Sequence, residues 1–280
     1  MRIALLQMTS GIDPAANAAV IVAAVAEAAA GGAAMLFTPE MSGLIDRDRE
    51  RARASVRHEA DDIVLAAVQE AAAAHKIWVH IGSLAVDAGR ADGKFANRAF
   101  VINPSGEIVA RYDKIHLFDV DLPTGERWRE SNAYAGGEAA VVAETAVGKL
   151  GLSICYDLRF PALYVALSEA GATVLAIPAA FTVPTGTAHW HILMRARAIE
   201  NAAFVVAAAQ VGHHADGRET YGHSLVVGPW GNVLLDMGDK AGVGFCEIDT
   251  AQVADVLARV PVIKHRRPVA SLVQKTPHLA

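Results

Sequence analysis

The chain has 280 residues, 53% hydrophobic and 20% charged, which excludes a disordered polymer and suits one large α/β domain spanning residues 1–280. Its formal charge is only -5 and the signs are well mixed, so no basic field exists for nucleic acid or an anionic membrane, and a small molecule is the expected partner. Two cysteines, Cys155 and Cys246, are too few for a disulfide framework or a four-cysteine zinc site, so either thiol, if functional, works as a thiol.

In chain order, M-R-I-A-L-L-Q-M-T-S predicts a strand over residues 3–8; it lacks the n-region, apolar h-region and cleavage site of a signal peptide. Asp13 and Pro14 open a helix as cap and first residue, and Gly31-Gly32 close it. This helix is alanine-rich, but Glu27 interrupts it, and its apolar run falls well short of the roughly 20 residues that span a bilayer. No membrane segment and a cytoplasmic location are therefore expected. A strand over 34–37, a helix over about 61–74 and a strand over 77–81 follow, giving β-α-β-α-β order. Strands over 99–103 and 107–112 flank N-P-S-G, whose proline presets one turn dihedral and whose glycine relieves another.

The pattern then recurs. A strand over 150–155, a helix opened by Pro161, a strand over 173–177, a helix over 187–201 and a strand over 204–209 precede strands at 224–227 and 232–235, which flank G-P-W-G. The second hairpin turn matches the first in its proline, its glycine and its place within the half, which marks an internal two-fold repeat. Two sheets, each with helices on one face, bury their bare faces together in a four-layer α-β-β-α sandwich. From residue 260 to 280 the chain holds three prolines and little helical periodicity; it is expected to form an extended arm of the kind that reaches a neighbouring subunit.

Cys155 ends its strand at a corner before the helix opened by Pro161. There a thiol can project from the sheet edge, and backbone N–H groups can lower its pKa or receive an oxyanion. A lone cysteine in an apolar strand is, on its own, more often a core thiol, and Cys246 in G-F-C-E-I-D fits that description. Glu40, in M-L-F-T-P-E-M, lies just beyond another strand end, stopped by Pro39; it is either a solvated loop carboxylate or a general base. Lys114 is either paired with Asp113 at the surface or aimed at a developing oxyanion. Glu130, in R-W-R-E-S-N, has Arg127 and Arg129 as equally good local partners. Eleven histidines include His189, His191, His213, His214 and His223, but no H-E-x-x-H or similar ligand spacing occurs, so they are assigned to hydrogen-bonding or surface positions and no metal site is expected. G-x-S-x-G, Walker and G-x-G-x-x-G signatures are also absent.

Together, F-T-P-E at 37–40, Y-D-K-I-H-L-F at 112–118 and G-L-S-I-C-Y-D-L-R-F-P at 151–161 resemble the three signature segments of the nitrilase superfamily of carbon-nitrogen hydrolases. The likeness extends through T-A-H-W, R-A-R-A-I-E-N, Y-G-H-S, G-P-W-G and H-R-R-P and is greatest to the branch acting on deaminated glutathione, with the omega-amidase branch similar. The resemblance implies the same sandwich, a homodimer, no cofactor, and an amidase that works through a cysteine thioester. By matching position it implies Cys155 as nucleophile, Glu40 as general base, Lys114 as oxyanion partner and Glu130 as a substrate-positioning glutamate. The Tyr156 backbone N–H is the expected second oxyanion donor. A nitrile hydrolase using the same residues, or a silent binding protein on the same fold, are the alternatives.

Overall fold

The computed structural model describes residues 1–121, 125 and 127–269. Strand β1 (Arg2–Gln7) leads to α1 (Pro14–Ala30), where the Asp13 carboxylate accepts from the Ala15 and Ala16 N–H groups and satisfies donors that no helical carbonyl can reach. Next come β2 (Met35–Phe37), α2 (Arg49–Ser55), β3 (Arg57–His58) and α3 (Ile63–His75), the last capped by Asp62 through Leu65 N–H. Strands β4 (Trp78–Asp87), β5 (Ala96–Ile102) and β6 (Ile108–Asp113) complete the first half. A ribbon of β7 (Asp119–Asp121) and β8 (Arg127–Arg129) separates it from the second.

The second half contains β9 (Val142–Thr145), β10 (Gly148–Leu152), α4 (Pro161–Glu169), β11 (Val174–Ala176), α5 (Val183–Asn201) and β12 (Phe204–Ala207). A small hairpin of β13 (Val211–His213) and β14 (Glu219–Tyr221) is followed by β15 (Leu225–Val227), β16 (Val233–Asp236), β17 (Gly242–Glu247) and α6 (Ala251–Arg259). Helix α5 starts at Val183, earlier than the 187 expected, because Pro184 in its first turn is compatible with a helix start.

Sheet order carries the repeat. One sheet runs β17-β1-β2-β4-β5-β6 with β3 beside β4, and the other runs β9-β10-β11-β12-β15-β16. In each, three parallel strands joined by helical crossovers are followed by an antiparallel hairpin, and an antiparallel strand covers the remaining edge. The two matching hairpin turns close on Gly106, with φ of +81°, and Gly231, with φ of +88°, values that favour glycine.

Alternation along the first sheet sorts its side chains. Ile3, Leu5, Met35, Phe37, Ala99 and Val101 join the core shared with the second sheet, whereas Ala4, Leu6, Leu36, Val79, Phe100 and Ile102 pack with α1 and α3. The architecture is therefore the α-β-β-α sandwich. Among the described residues no helix is long and apolar enough to cross a membrane. Residues 260–269, the described part of the expected arm, fold back on the same chain: Arg266 donates to Ser168 Oγ and Asn201 Oδ1, each at 2.8 Å. The remainder of the arm, 270–280, lies outside the described residues.

His80 on β4 faces the core between the sheets, tilted against Phe37 with ring centroids 5.6 Å apart, and neither ring nitrogen has a partner among the described residues. Burial pushes its pKa down from 6.5 to about 3. Below pH 6.5 the unfolded chain thus binds a proton that the folded chain refuses, and stability falls as pH drops toward 3. At pH 5 this one group costs about 2 kcal/mol relative to pH 7. Urea midpoints at pH 7 and pH 5 should show that loss reduced by about this amount in His80→Leu; an unchanged pH dependence contradicts the assignment.

Candidate active site

Both prospective reactive side chains lie where a strand gives way to a turn. Strand β10 ends at Leu152, three residues before Cys155, which instead opens a short 3-10 turn over Cys155–Arg159. The Asp157 carboxylate accepts from Ile154 N–H at 2.9 Å and ends the extended run. Cys155 has φ of +49° and Met41, directly after Glu40, has φ of +54°. Left-handed backbone at a non-glycine residue costs of order 1–3 kcal/mol and is held here by the surrounding packing. Cys155 N–H donates to the Pro178 carbonyl at 2.8 Å. At Gly82 in β4 a Cβ would collide with the Thr38 and Pro39 carbonyls and with Pro178, so only glycine lets the Glu40 loop and the Pro178 loop meet at this point.

Glu40, Lys114 and Glu130 form a buried ion triad. Lys114 Nζ lies 2.8 Å from Glu40 Oε1 and 2.9 Å from Glu130 Oε2. Asn97 Nδ2 bridges the two carboxylates, donating at 3.0 Å to Oε1 of each. Glu40 Oε2 accepts from Ala180 N–H at 3.0 Å, and Glu130 Oε2 from Phe118 N–H at 2.6 Å. The local partners that sequence allowed are otherwise engaged: Asp113 binds Arg98, and Arg127 and Arg129 both pair with Asp121.

Burial alone would raise the Glu40 carboxyl and lower the Lys114 ammonium, but each is reversed by its partners. Lys114, with a hydrogen bond from Asn97, holds Glu40 below the ordinary carboxylate range, and Glu130 and Glu40 hold Lys114 well above its ordinary value. Burial, reinforced by the Glu40 charge, pushes the Cys155 thiol well up. The resting set is then a neutral thiol and an ionised carboxylate beside an ammonium. That arrangement can pass a proton from sulfur to oxygen and meet negative charge as it forms.

Asp157 fixes the Lys114 segment against the Cys155 turn. Its fully buried carboxylate accepts from Tyr112 Oη at 2.7 Å and from His116 N–H at 3.0 Å, and lies 2.7 Å from His116 Nδ1. The His116 ring stacks on Phe160 at 3.6 Å between centroids. Tyr112, His116 and Asp157 all stand inside the quoted sequence segments, yet reasoning from the residues singled out none of them, nor Asn97. Tyr156 N–H, the next donor along the turn, has no backbone acceptor among the described residues.

These groups open into a cleft of about 440 Å³, a size suited to a small-molecule ligand. Six arginines and Lys114 line it against four carboxylates, a positive excess in a protein of net charge -5. The histidines stand apart from the triad. His191 Nε2 and His223 Nδ1 each lie 2.9 Å from an Asp236 carboxylate oxygen. Together these three form a cluster whose potential ligand atoms lie within 4.8 Å of one another, which the spacing of the histidines in sequence did not reveal. His189 faces Arg159, and His214 is buried between Ser10 and Thr220.

Comparison with known proteins gives the following. The carbon-nitrogen hydrolase family model matches residues 2–257. The deaminated glutathione amidase of Yersinia enterocolitica is 39% identical over 278 residues, covering 98% of this chain and 95% of that enzyme. The crystal structure of the C. elegans NitFhit protein superposes with a TM-score of 0.88 at 37% identity, over 95% of this chain and 65% of that longer one. An amidase from Nesterenkonia sp. AN1, with a glutamate-to-glutamine substitution, has a TM-score of 0.79 at 27% identity, over 95% of this chain and 94% of that one. It carries the acetamide moiety of fluoroacetamide covalently on its active-site cysteine.

Replacing Lys114 by Met leaves the buried Glu40 and the partly buried Glu130 carboxylates without their cation. Chemical denaturation should show a loss of about 3–5 kcal/mol, and a change within about 1 kcal/mol contradicts the triad's structural weight.

Proposed function

The chain belongs to the carbon-nitrogen hydrolase family, and from that premise we propose that it hydrolyses a small anionic amide through a thioester on Cys155. The observation that carries this reading is the convergence of Cys155, Glu40 and Lys114, from three separate chain segments, on one buried spot. Glu40 removes the proton from Sγ as the sulfur attacks the amide carbon. The carbonyl electrons move onto oxygen, where Lys114 Nζ and Tyr156 N–H receive them. Glu40 then gives its proton to the amide nitrogen, the carbon-nitrogen bond breaks, and the amine leaves with an acyl group on sulfur. Water, deprotonated by Glu40, attacks the thioester; the acid departs and the proton returns to Sγ. Glu130 and Asn97 hold Lys114 and Glu40 in register throughout.

Arg47, Arg49 and Arg159 line the cleft with no carboxylate partner among the described residues and support an anionic substrate, because unpaired charge concentrates ligands of the opposite sign. Arg159 stands one turn beyond Cys155, over the Tyr156 and Phe181 rings at 6.0 and 5.5 Å, and forms no carboxylate pair among the described residues. It is the cation we assign to a carboxylate on the acyl side. Deaminated glutathione, the substrate named for the Yersinia relative, and the shorter α-ketoglutaramate both carry such a group, and we assign this chain to that class.

Turnover of deaminated glutathione, α-ketoglutaramate, propionamide and propionitrile should be compared by release of cysteinylglycine or ammonia. The anionic amides should exceed the neutral compounds at least about tenfold in kcat/KM, and Cys155→Ala should lower turnover by at least about a thousandfold with its unfolding midpoint kept. Retained turnover in Cys155→Ala, or a preference for the neutral nitrile, sinks the proposal.

A further inference from the structure

The cleft has a second cationic pole that amide cleavage itself does not use. From the buried triad an aromatic wall leads outward: Tyr156 meets Phe118 edge-on at 5.1 Å, and Phe118 meets Trp128 at 6.3 Å. At the end of this wall the Trp128 ring lies under two guanidinium groups, Arg47 at 5.2 Å and Arg218 at 5.0 Å. The three residues come from separate parts of the chain: the loop after β2, the ribbon strand β8, and the turn between β13 and β14. Their charges are not equivalent. Arg218 is paired with Asp216 at 2.8 Å, whereas Arg47, exposed at the cleft, has no carboxylate partner among the described residues. Its neighbours Asp46 and Asp48 are taken up by Arg51 and by the cap of α2. A guanidinium held over an indole face keeps its N–H edges available for a carboxylate.

We infer that Arg47, seated on Trp128, binds a carboxylate on the leaving-amine side of the substrate, so that the cleft selects amides with an anionic group on each side of the scissile bond. This rests on the amidase reading and deepens it. Arg159 at the inner end and Arg47 at the outer end then act as separate readers of the acyl and amine portions. A substrate ending in ammonia, such as α-ketoglutaramate, presents nothing to the outer pole. The residue is thus a specificity determinant and takes no part in the chemical steps.

The experiment compares wild type with Arg47→Gln on deaminated glutathione, on the same compound with its glycine carboxylate amidated, and on α-ketoglutaramate. In Arg47→Gln, kcat/KM for deaminated glutathione should fall at least about tenfold, mainly through KM, with α-ketoglutaramate changed less than about twofold. Amidating the distal carboxylate should cost the wild type a similar factor and cost the variant little, the signature of a direct contact. The inference is overturned if Arg47→Gln affects the long and short substrates equally, if it affects neither, or if wild type turns over the amidated compound as well as the parent. Loss of the amidase reading gives a different result: wild type cleaves none of the three, and both proposals fall together.

Discussion

The ammonium of Lys114, buried between the carboxylates of Glu40 and Glu130, is the interaction on which the rest of the site depends. Desolvating three charges together is unfavourable unless each is paired and hydrogen-bonded. Here Asn97, Phe118 N–H and Ala180 N–H complete the remaining contacts. The triad carries one negative charge in excess, and its consequence falls on Cys155. Glu40 opposes ionisation of the thiol while remaining ionised itself. An ionised Glu40 carboxylate and a protonated Cys155 thiol follow from the same arrangement.

The fold supplies this geometry by repetition. Each half ends its parallel strands on the same side of its sheet, and face-to-face packing brings the loop after β2 against the loops after β10 and β11. Lys114 follows the antiparallel hairpin of the first half, and Asp157, from the Cys155 turn of the second, ties that segment down through Tyr112 and His116. Positive φ at Cys155 and Met41 is accompanied by hydrogen bonds within each half, Cys155 N–H to the Pro178 carbonyl and Met41 N–H to Ser83 Oγ. The same meeting of loops leaves a cleft lined by more arginines than carboxylates.

Much of this was legible in the sequence, because the informative signals were local. Asp13-Pro14, Gly31-Gly32 and the two proline-glycine hairpins marked boundaries that the structure keeps. The four side chains singled out, Glu40, Lys114, Glu130 and Cys155, share one cleft. What escaped were pairings between residues far apart in the chain. Strand β17 closes the edge of β1 from some 240 positions away, registering Arg2 with Glu247, and its glycine-rich segment has no strand alternation. Asn97 looks like an ordinary strand residue until Glu40 and Glu130 arrive on either side. Asp157 lies next to Tyr156 in a segment already under scrutiny, but its role depends on Tyr112 and His116, which no spacing rule connects to it. The ambiguity of Glu130 was resolved by Asp121 taking both neighbouring arginines.

The central claim is that an acyl group passes through the Cys155 sulfur. Hydroxylamine partitioning tests it most directly, using two amides that share a glutaryl acyl group and differ only in whether ammonia or cysteinylglycine leaves. If both pass through the same thioester, the ratio of glutaryl hydroxamate to glutarate is identical for the two substrates at each hydroxylamine concentration, and neither product forms with Cys155→Ala. A ratio that changes with the leaving amine, or acid production without any hydroxamate, contradicts a common acyl-enzyme.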